Sequence, residues 1–299
     1  MLRRDFLRSS AIGFGALSLG QRELLSHFFD DPWKITMLKN DIGIFTEKGG
    51  TIGFLLSKDG IITIDSQFPE QAQHYIDEMK KKGGYPFKLL INTHHHGDHS
   101  SGNISFKGTV QRVLAHENSK KNQEKVAQLN KTEDKQLYPN EVFGKIWEEK
   151  DSGEKLTLRY FGAAHTDGDA IIHFGHSNIA HMGDLVFNRV HPFVDRSAGA
   201  NVKSWMDVLD KTLKQFDKKT TYIFGHAAPG YNVTGTREDV KAFRDYLEQV
   251  YNFVDAQVKK GISQEDLVKI KTLPFDTEWK GDGLDRPFKA IYEELTMYK

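Results

Sequence analysis

Short apolar runs set off by glycine-bearing turns begin the interpretable part of the chain. Residues 42–45, 51–56 and 61–64 predict three strands, separated by Gly49-Gly50 and by Lys58-Asp59-Gly60, both hairpin signals. Over 69–82 the spacing turns helical, with Pro69 at its start and Gly83-Gly84 behind it. Residues 87–91 predict a buried strand, 110–115 another, and 119–129 a polar helix followed by a loop over 132–144. A second run of strands is predicted at 146–149, 156–161, 170–174 and 179–181. Then come an amphipathic helix over 202–216 and a short strand over 221–224 that ends at Gly225-His226. From Thr236 the chain reads as helical, with Thr236 as cap and Glu238-Asp239 in the first turn. Leu247, Val250, Tyr251 and Val254 recur at helical spacing and predict a packed face, with Phe275, Trp279 and Tyr292 as candidates to shape a pocket. The order gives two β-rich halves with helices outside, an α/β/β/α layering.

Composition narrows the chemistry. The 299-residue chain balances 41 Lys and Arg against 41 Asp and Glu, so no global field recruits nucleic acid or an anionic membrane. It has no cysteine, which excludes disulfides, thiolate metal ligands and a cysteine nucleophile. A transition metal must therefore be held by nitrogen and oxygen. The start, MLRRDFLRSSAIGFGALSLGQ, resembles a twin-arginine export signal: Arg3-Arg4, then a glycine-cut apolar run too short to span a bilayer. Residues 1–20 are therefore set apart from the fold. Ala16 and Ser18 offer a cleavage site, no stable membrane anchor is expected after cleavage, and the periplasm or the exterior is the expected location.

The predicted strand at 87–91 runs into Thr93-His94-His95-His96-Gly97-Asp98-His99. Loops at the C-terminal ends of strands in open α/β sheets are where ligands bind. His94 and His96 leave one face of an extended backbone, while His95 alternates to the other. The chain then turns at Gly97, so Asp98 and His99 can face a second ion. The spacing His94-x-His96-x-Asp98-His99 resembles the signature of the metallo-β-lactamase superfamily. Further motifs follow in the order of that family: Ile64-Asp65, Gly162-Ala163-Ala164-His165-Thr166, Gly183-Asp184 and Gly225-His226. The resemblance implies a four-layer αβ/βα sandwich over 35–235, with the helical region 236–299 packed on it. It also implies two Zn2+ ions, with iron or manganese as substitutes. His94, His96 and His165 would hold the first ion, Asp98, His99 and His226 the second, and Asp184 would bridge them. Asp65 would orient a ligand from the adjoining loop. His27, His74, His116, His173, His176 and His181 carry no motif and are expected on the surface or in the core. His191, in the loop after Asp184, is the nearest of the rest to the expected cleft but is assigned to the surface or core like the others.

Two adjacent divalent ions lower the pKa of a shared water, so the expected chemistry is hydrolysis of a small-molecule substrate by hydroxide, with Asp98 as the proton acceptor. An aspartate at 184 resembles the lactonase, thioesterase and general hydrolase branches. Gly183-Asp184-Leu185-Val186 and Ala200-Asn201-Val202-Lys203-Ser204-Trp205 instead resemble local stretches of the cysteine-type β-lactamases. The expected enzyme is a lactamase-like hydrolase of ester- or amide-type bonds; a lactonase, thioesterase or phosphodiesterase is the alternative within the superfamily. A non-hydrolytic di-iron redox or metal-binding protein is the alternative outside it. For a lactam carboxylate Asn201 and Lys203 are candidate contacts, although an exposed helix start accounts for them equally.

Overall fold

The computed structural model describes residues 32–275 and 277–297. The expected export signal at 1–20 lies outside them. The compact unit Ile35–Lys299 is built on two sheets. One has seven strands in sequential order: β1 (Lys34–Lys39), β2 (Ile42–Thr46), β3 (Ile52–Ser57), β4 (Gly60–Ile64), β5 (Phe87–Asn92), β6 (Val110–His116) and β7 (Glu141–Phe143). Strands β2 to β4 are antiparallel hairpins, as their glycine turns require. From β4 onward the pairing is parallel, with helix α1 (Pro69–Lys81) crossing from β4 to β5 and α2 (Glu117–Asn130) from β6 to β7.

The second sheet comprises β8 (Ile146–Asp151), β9 (Glu154–Arg159), β10 (Ile171–Phe174), β11 (Ile179–His181), β13 (Thr221–Ile223) and β15 (Thr234–Gly235), in the order β15-β13-β11-β10-β9-β8. A separate parallel pair joins β12 (Phe187–Asn188) to β14 (His226–Ala227). Ile62, Ile64, Leu89 and Ile91 of the first sheet share a buried cluster with Leu156, Leu158, Ile172 and Ile179 of the second, so the inner faces pack on one another. Helices α3 (Val202–Gln215), α4 (Arg237–Lys259) and α5 (Asp285–Thr296) form the second large cluster around Trp205, Phe243, Leu247 and Phe288, with Met182, Leu185 and Tyr222. The layering is the expected sandwich with a helical C-terminal region.

The predicted elements need adjustment in three places. The loop predicted over 132–144 contains β7, a three-residue edge strand too short and too polar to show a period. The N-terminal edge strand β1, KITMLK, is half-exposed and was not anticipated. The C-terminal region is not helical throughout. Between the one-turn helix Gln264–Leu267 and α5 the chain has no long regular element. Among the described residues no helix is long and apolar enough to cross a membrane.

Candidate metal centre

Strand β5 delivers its histidines to the gap between the sheets. His96 is extended (φ −62°, ψ 148°) and caps the single helical turn Gly97–Ser100. The change from extended to helical backbone at Gly97 sends Asp98 and His99 in a direction different from His94 and His96. His165 comes from the loop between β9 and β10. Asp184 sits in a 3-10 turn after β11, and His226 opens β14. Gly225 is fixed by this crowding: a Cβ there would lie 1.9 Å from Asp184 Oδ1. Gly50, in the β2–β3 turn, is equally constrained, since its Cβ would lie 2.2 Å from the His99 ring.

The donors form two groups. His94 Nε2 lies 3.1 Å and His165 Nε2 2.9 Å from His96 Nδ1. Asp184 Oδ2 is 3.9 Å from His94 Nε2 and 3.5 Å from His165 Nε2. In the second group His226 Nε2 is 3.0 Å from Asp98 Oδ2 and 3.4 Å from His99 Nε2. The Asp184 carboxylate reaches this group too, with Oδ1 3.1 Å from His99 Nε2 and Oδ2 3.4 Å from His226 Nε2. The contact to His99 is not aligned as a hydrogen bond, so Asp184 Oδ1 is buried without a hydrogen-bond partner.

Outer partners decide which nitrogen of each ring carries the proton. Thr93 Oγ1 donates to Asp65 Oδ2 (2.7 Å), so it accepts from His94 Nδ1 (3.0 Å). His96 Nε2 donates to Asp195 Oδ2 at 2.9 Å, His165 Nδ1 to the Phe193 carbonyl at 2.8 Å, and His99 Nδ1 to Asp65 Oδ2 at 2.7 Å. His94 and His165, both held neutral, then point a bare lone pair inward. Lone pairs about 3 Å apart repel unless a cation lies among them. Donors around four-coordinate zinc at roughly 2.0–2.2 Å stand about 3.3–3.6 Å apart, a range that the observed spacings of 2.9 to 3.9 Å bracket. The residues fit two metal ions.

The electrostatics divide in the same way. Burial, then the charge of neighbouring His99, keeps His94 well below the usual imidazole range, and burial followed by His96 lowers His165 to about 3. Both rings are neutral, the form in which imidazole can bind a metal. Burial would lower His99 as well, but the Asp184 and Asp65 carboxylates outweigh it and hold that ring well above its usual value. His226 is lifted to about 9, burial being overcome by Asp184 and Asp98. This corner of the site stabilises positive charge, carried by protons or by a metal ion.

A cleft of about 710 Å³ lies over the donors, with Asp98, Asp184 and His226 exposed to it between apolar Phe68, Phe187, Val190 and Phe193. His191 lines it as well, its Nδ1 2.7 Å from the Tyr246 hydroxyl. Two anticipated contacts do not reach this cleft. The Asn201 side chain caps α3 by accepting from Ser204 N at 2.7 Å, and Lys203 is exposed on that helix. His95 turns away from the donors toward Asp195, its Nε2 3.4 Å from Oδ2.

Residues 64–226 match the family model of the Metallo-beta-lactamase superfamily, more than half of the 299 residues. The chain belongs to the metallo-β-lactamase superfamily. Among solved structures, it is similar to the stereoselective inverting sec-alkylsulfatase from Pseudomonas sp. (14% identity, 89% of this chain and 50% of that one, TM-score 0.70). It is similar also to metallo-β-lactamases from Pontibacter korlensis (19%, 72% and 99%, 0.59) and Hirschia baltica (16%, 73% and 98%, 0.60). The chain spans about half the length of the alkylsulfatase, and at these identities the likeness is one of fold. No curated protein matches it by sequence.

Within the superfamily frame, two residues escaped the sequence reading. Asp195 holds His96 from the loop after β12, and no spacing rule connects positions 99 apart. Asp169 accepts from Thr166 N (2.7 Å) and Thr166 Oγ1 (2.8 Å), fixing the turn that carries His165. Its place in Thr166-Asp167-Gly168-Asp169 was visible as a turn composition but carried no chemistry of its own.

Proposed function

We propose that this superfamily member hydrolyses an ester- or amide-type bond at a dinuclear metal centre. The observation that carries the reading is the Asp184 carboxylate placed between two groups of metal-ligating side chains, His94, His96 and His165 on one side and Asp98, His99 and His226 on the other. His94, His96 and His165 would hold one ion, Asp98, His99 and His226 the other, with Asp184 shared between them. Two divalent cations held there would supply ionised water near neutral pH and polarise the scissile group. The chain's residues then do the rest. Phe68, Phe187 and Phe193 exclude water around the substrate body. Asp65 and Asp195 hold the ligand rings in place. Asp98, the carboxylate of the second group that borders the cleft, accepts the proton released on attack, and burial offset by His226 and His99 keeps it ionised.

Zinc is the metal that the superfamily resemblance favours, and a donor set of imidazole nitrogen and carboxylate oxygen accepts iron or manganese as well. The test is metal analysis of the purified chain together with a hydrolysis panel of β-lactams, lactones, thioesters, phosphodiesters and sulfate esters. Two equivalents of zinc and turnover of an ester or amide support the reading. Iron with a visible chromophore and no turnover overturns it. Sulfate-ester hydrolysis is the second reading: the alkylsulfatase fold matches 89% of this chain, whereas the two lactamase folds match 72% and 73%. We also propose export by the twin-arginine route. It predicts that Arg3→Lys with Arg4→Lys leaves the protein in the cytoplasm, as read by cell fractionation.

A further inference from the structure

The cleft has one feature that the metal donors do not use. Arg286, in the first turn of α5, is the only lysine or arginine lining it among the described residues. The neighbouring cation, Arg189, is already engaged. It bonds Asp239 Oδ1 at 3.1 Å and Glu278 Oε2 at 2.7 Å, and lies over the Trp279 ring at 4.9 Å. Arg286 differs: among the described residues no carboxylate lies within ion-pair distance of its guanidinium. Its position is nevertheless defined. Its backbone N–H bonds the Gly283 carbonyl at 3.1 Å, and the guanidinium folds against Gly283, where a Cβ would lie 3.3 Å from Cζ. Gly283 has φ +99°, so the turn favours glycine and leaves that surface open to the arginine. His191, the other nitrogen base beside it, is held neutral, by burial first and then by the charge of Arg286.

The remaining wall is apolar, from Phe68, Phe187, Val190 and Phe193, and Phe193 is 45% exposed. A cleft of this kind pairs a hydrocarbon body with one fixed anion. We infer that Arg286 is the specificity determinant of this hydrolase, and that its substrate is an organic monoanion. The acid group is held by the guanidinium, the hydrocarbon body lies on the phenylalanines, and the scissile bond faces Asp98 and Asp184. Arginine offers two parallel N–H donors to a carboxylate, a geometry lysine cannot reproduce. The determinant lies beyond residues 64–226, the part that matches the superfamily model.

The inference rests on the hydrolase reading above, and the experiment separates the two. The metal-loaded full chain is assayed on two nitrophenyl esters of equal length, one ending in methyl and one in carboxylate. The readout is the ratio of their kcat/KM values, which cancels any difference in active fraction. Wild type is expected to favour the carboxylate ester. Arg286→Met should lower the ratio about tenfold or more, through KM, and Arg286→Lys should fall between. A ratio that is the same in wild type and Arg286→Met overturns the inference. If wild type cleaves neither ester, the hydrolytic reading of these bonds fails and Arg286 is judged by binding. Calorimetry with octanesulfonate, a non-hydrolysable anion, should then show about tenfold weaker binding to Arg286→Met. Equal affinities, or no binding to wild type, overturn it.

Discussion

Asp195 illustrates how much of the centre depends on groups that never face the metal. Its Oδ2 accepts from His96 Nε2, while Oδ1 is occupied by Ser197 Oγ at 2.6 Å and Ala198 N at 3.2 Å. The carboxylate is thus fixed before it fixes the ring. Asp195→Ala is expected to weaken metal binding about 10–100-fold, measured by competition with a chromogenic chelator. Asp98→Asn is expected to lower kcat by about 10²–10⁴-fold at full metal content; unchanged activity on every substrate would remove its proton-accepting role. Away from the centre, Lys88 on β5 pairs with Asp151 on β8, whose side chain is 1% exposed. Burial raises the Asp151 carboxyl, but the Lys88 bond and charge together with hydrogen bonds from Ser57 and Ser152 outweigh it, so its folded pKa is below the unfolded one. That contribution is present above the unfolded carboxyl value of about 3.9 and disappears as the pH falls through the lower folded value. Lys88→Met is expected to cost about 1–3 kcal/mol at pH 7 and to flatten the acid limb of a denaturant-midpoint profile. His94, His96, Asp98 and His99 were legible because they fall within one seven-residue stretch, Thr93 to His99. Asp195 and Arg286 were not, because a carboxylate or a guanidinium acquires a role only from what the fold sets beside it.

Helix α5 and the loop between β12 and α3 form one mechanical path to the metal donors. Glu294 on α5 accepts from Val202 N at 2.6 Å, capping α3 from outside, and holds Arg196 Nη1 at 3.3 Å. Arg196 adjoins Asp195, and Trp205 on α3 donates from Nε1 to the Leu185 carbonyl at 3.0 Å. Glu294→Ala should therefore both cost about 1–3 kcal/mol in chemical denaturation and reduce metal affinity; a loss of stability with unaltered metal affinity would break the proposed path. The long buried strands and amphipathic helices were readable because burial imposes a period on them. Strands β7, β12, β14 and β15 have two or three residues each and show none. Their existence follows from the tertiary contacts that hold them, as when Phe187 stacks on His226 with ring centroids 5.6 Å apart.

The C-terminal region behaves as part of the core. Val240, Phe243, Leu247 and Phe288 share one buried cluster with Trp205, Leu185 and Tyr222, and Trp279 donates to the Phe187 carbonyl at 3.2 Å. A chain ending at Gly235 would expose that whole surface. It is expected to be insoluble or to bind a hydrophobic dye without a cooperative thermal transition; a stable, metal-binding 1–235 protein would show the two regions to be separable. The two sheets, by contrast, are consecutive in sequence, the first ending with β7 at Phe143 and the second starting with β8 at Ile146. His94, His96, Asp98 and His99 belong to the earlier stretch, and His165, Asp184 and His226 to the later. Each ion would draw ligands from both, so a backbone cut between Gly144 and Lys145 makes two fragments with complementary halves of each coordination sphere. Mixed together, such fragments should associate through the packed inner faces of the two sheets and more tightly with zinc than with a chelator, so that the difference between the two association constants reports the metal's share of the joint.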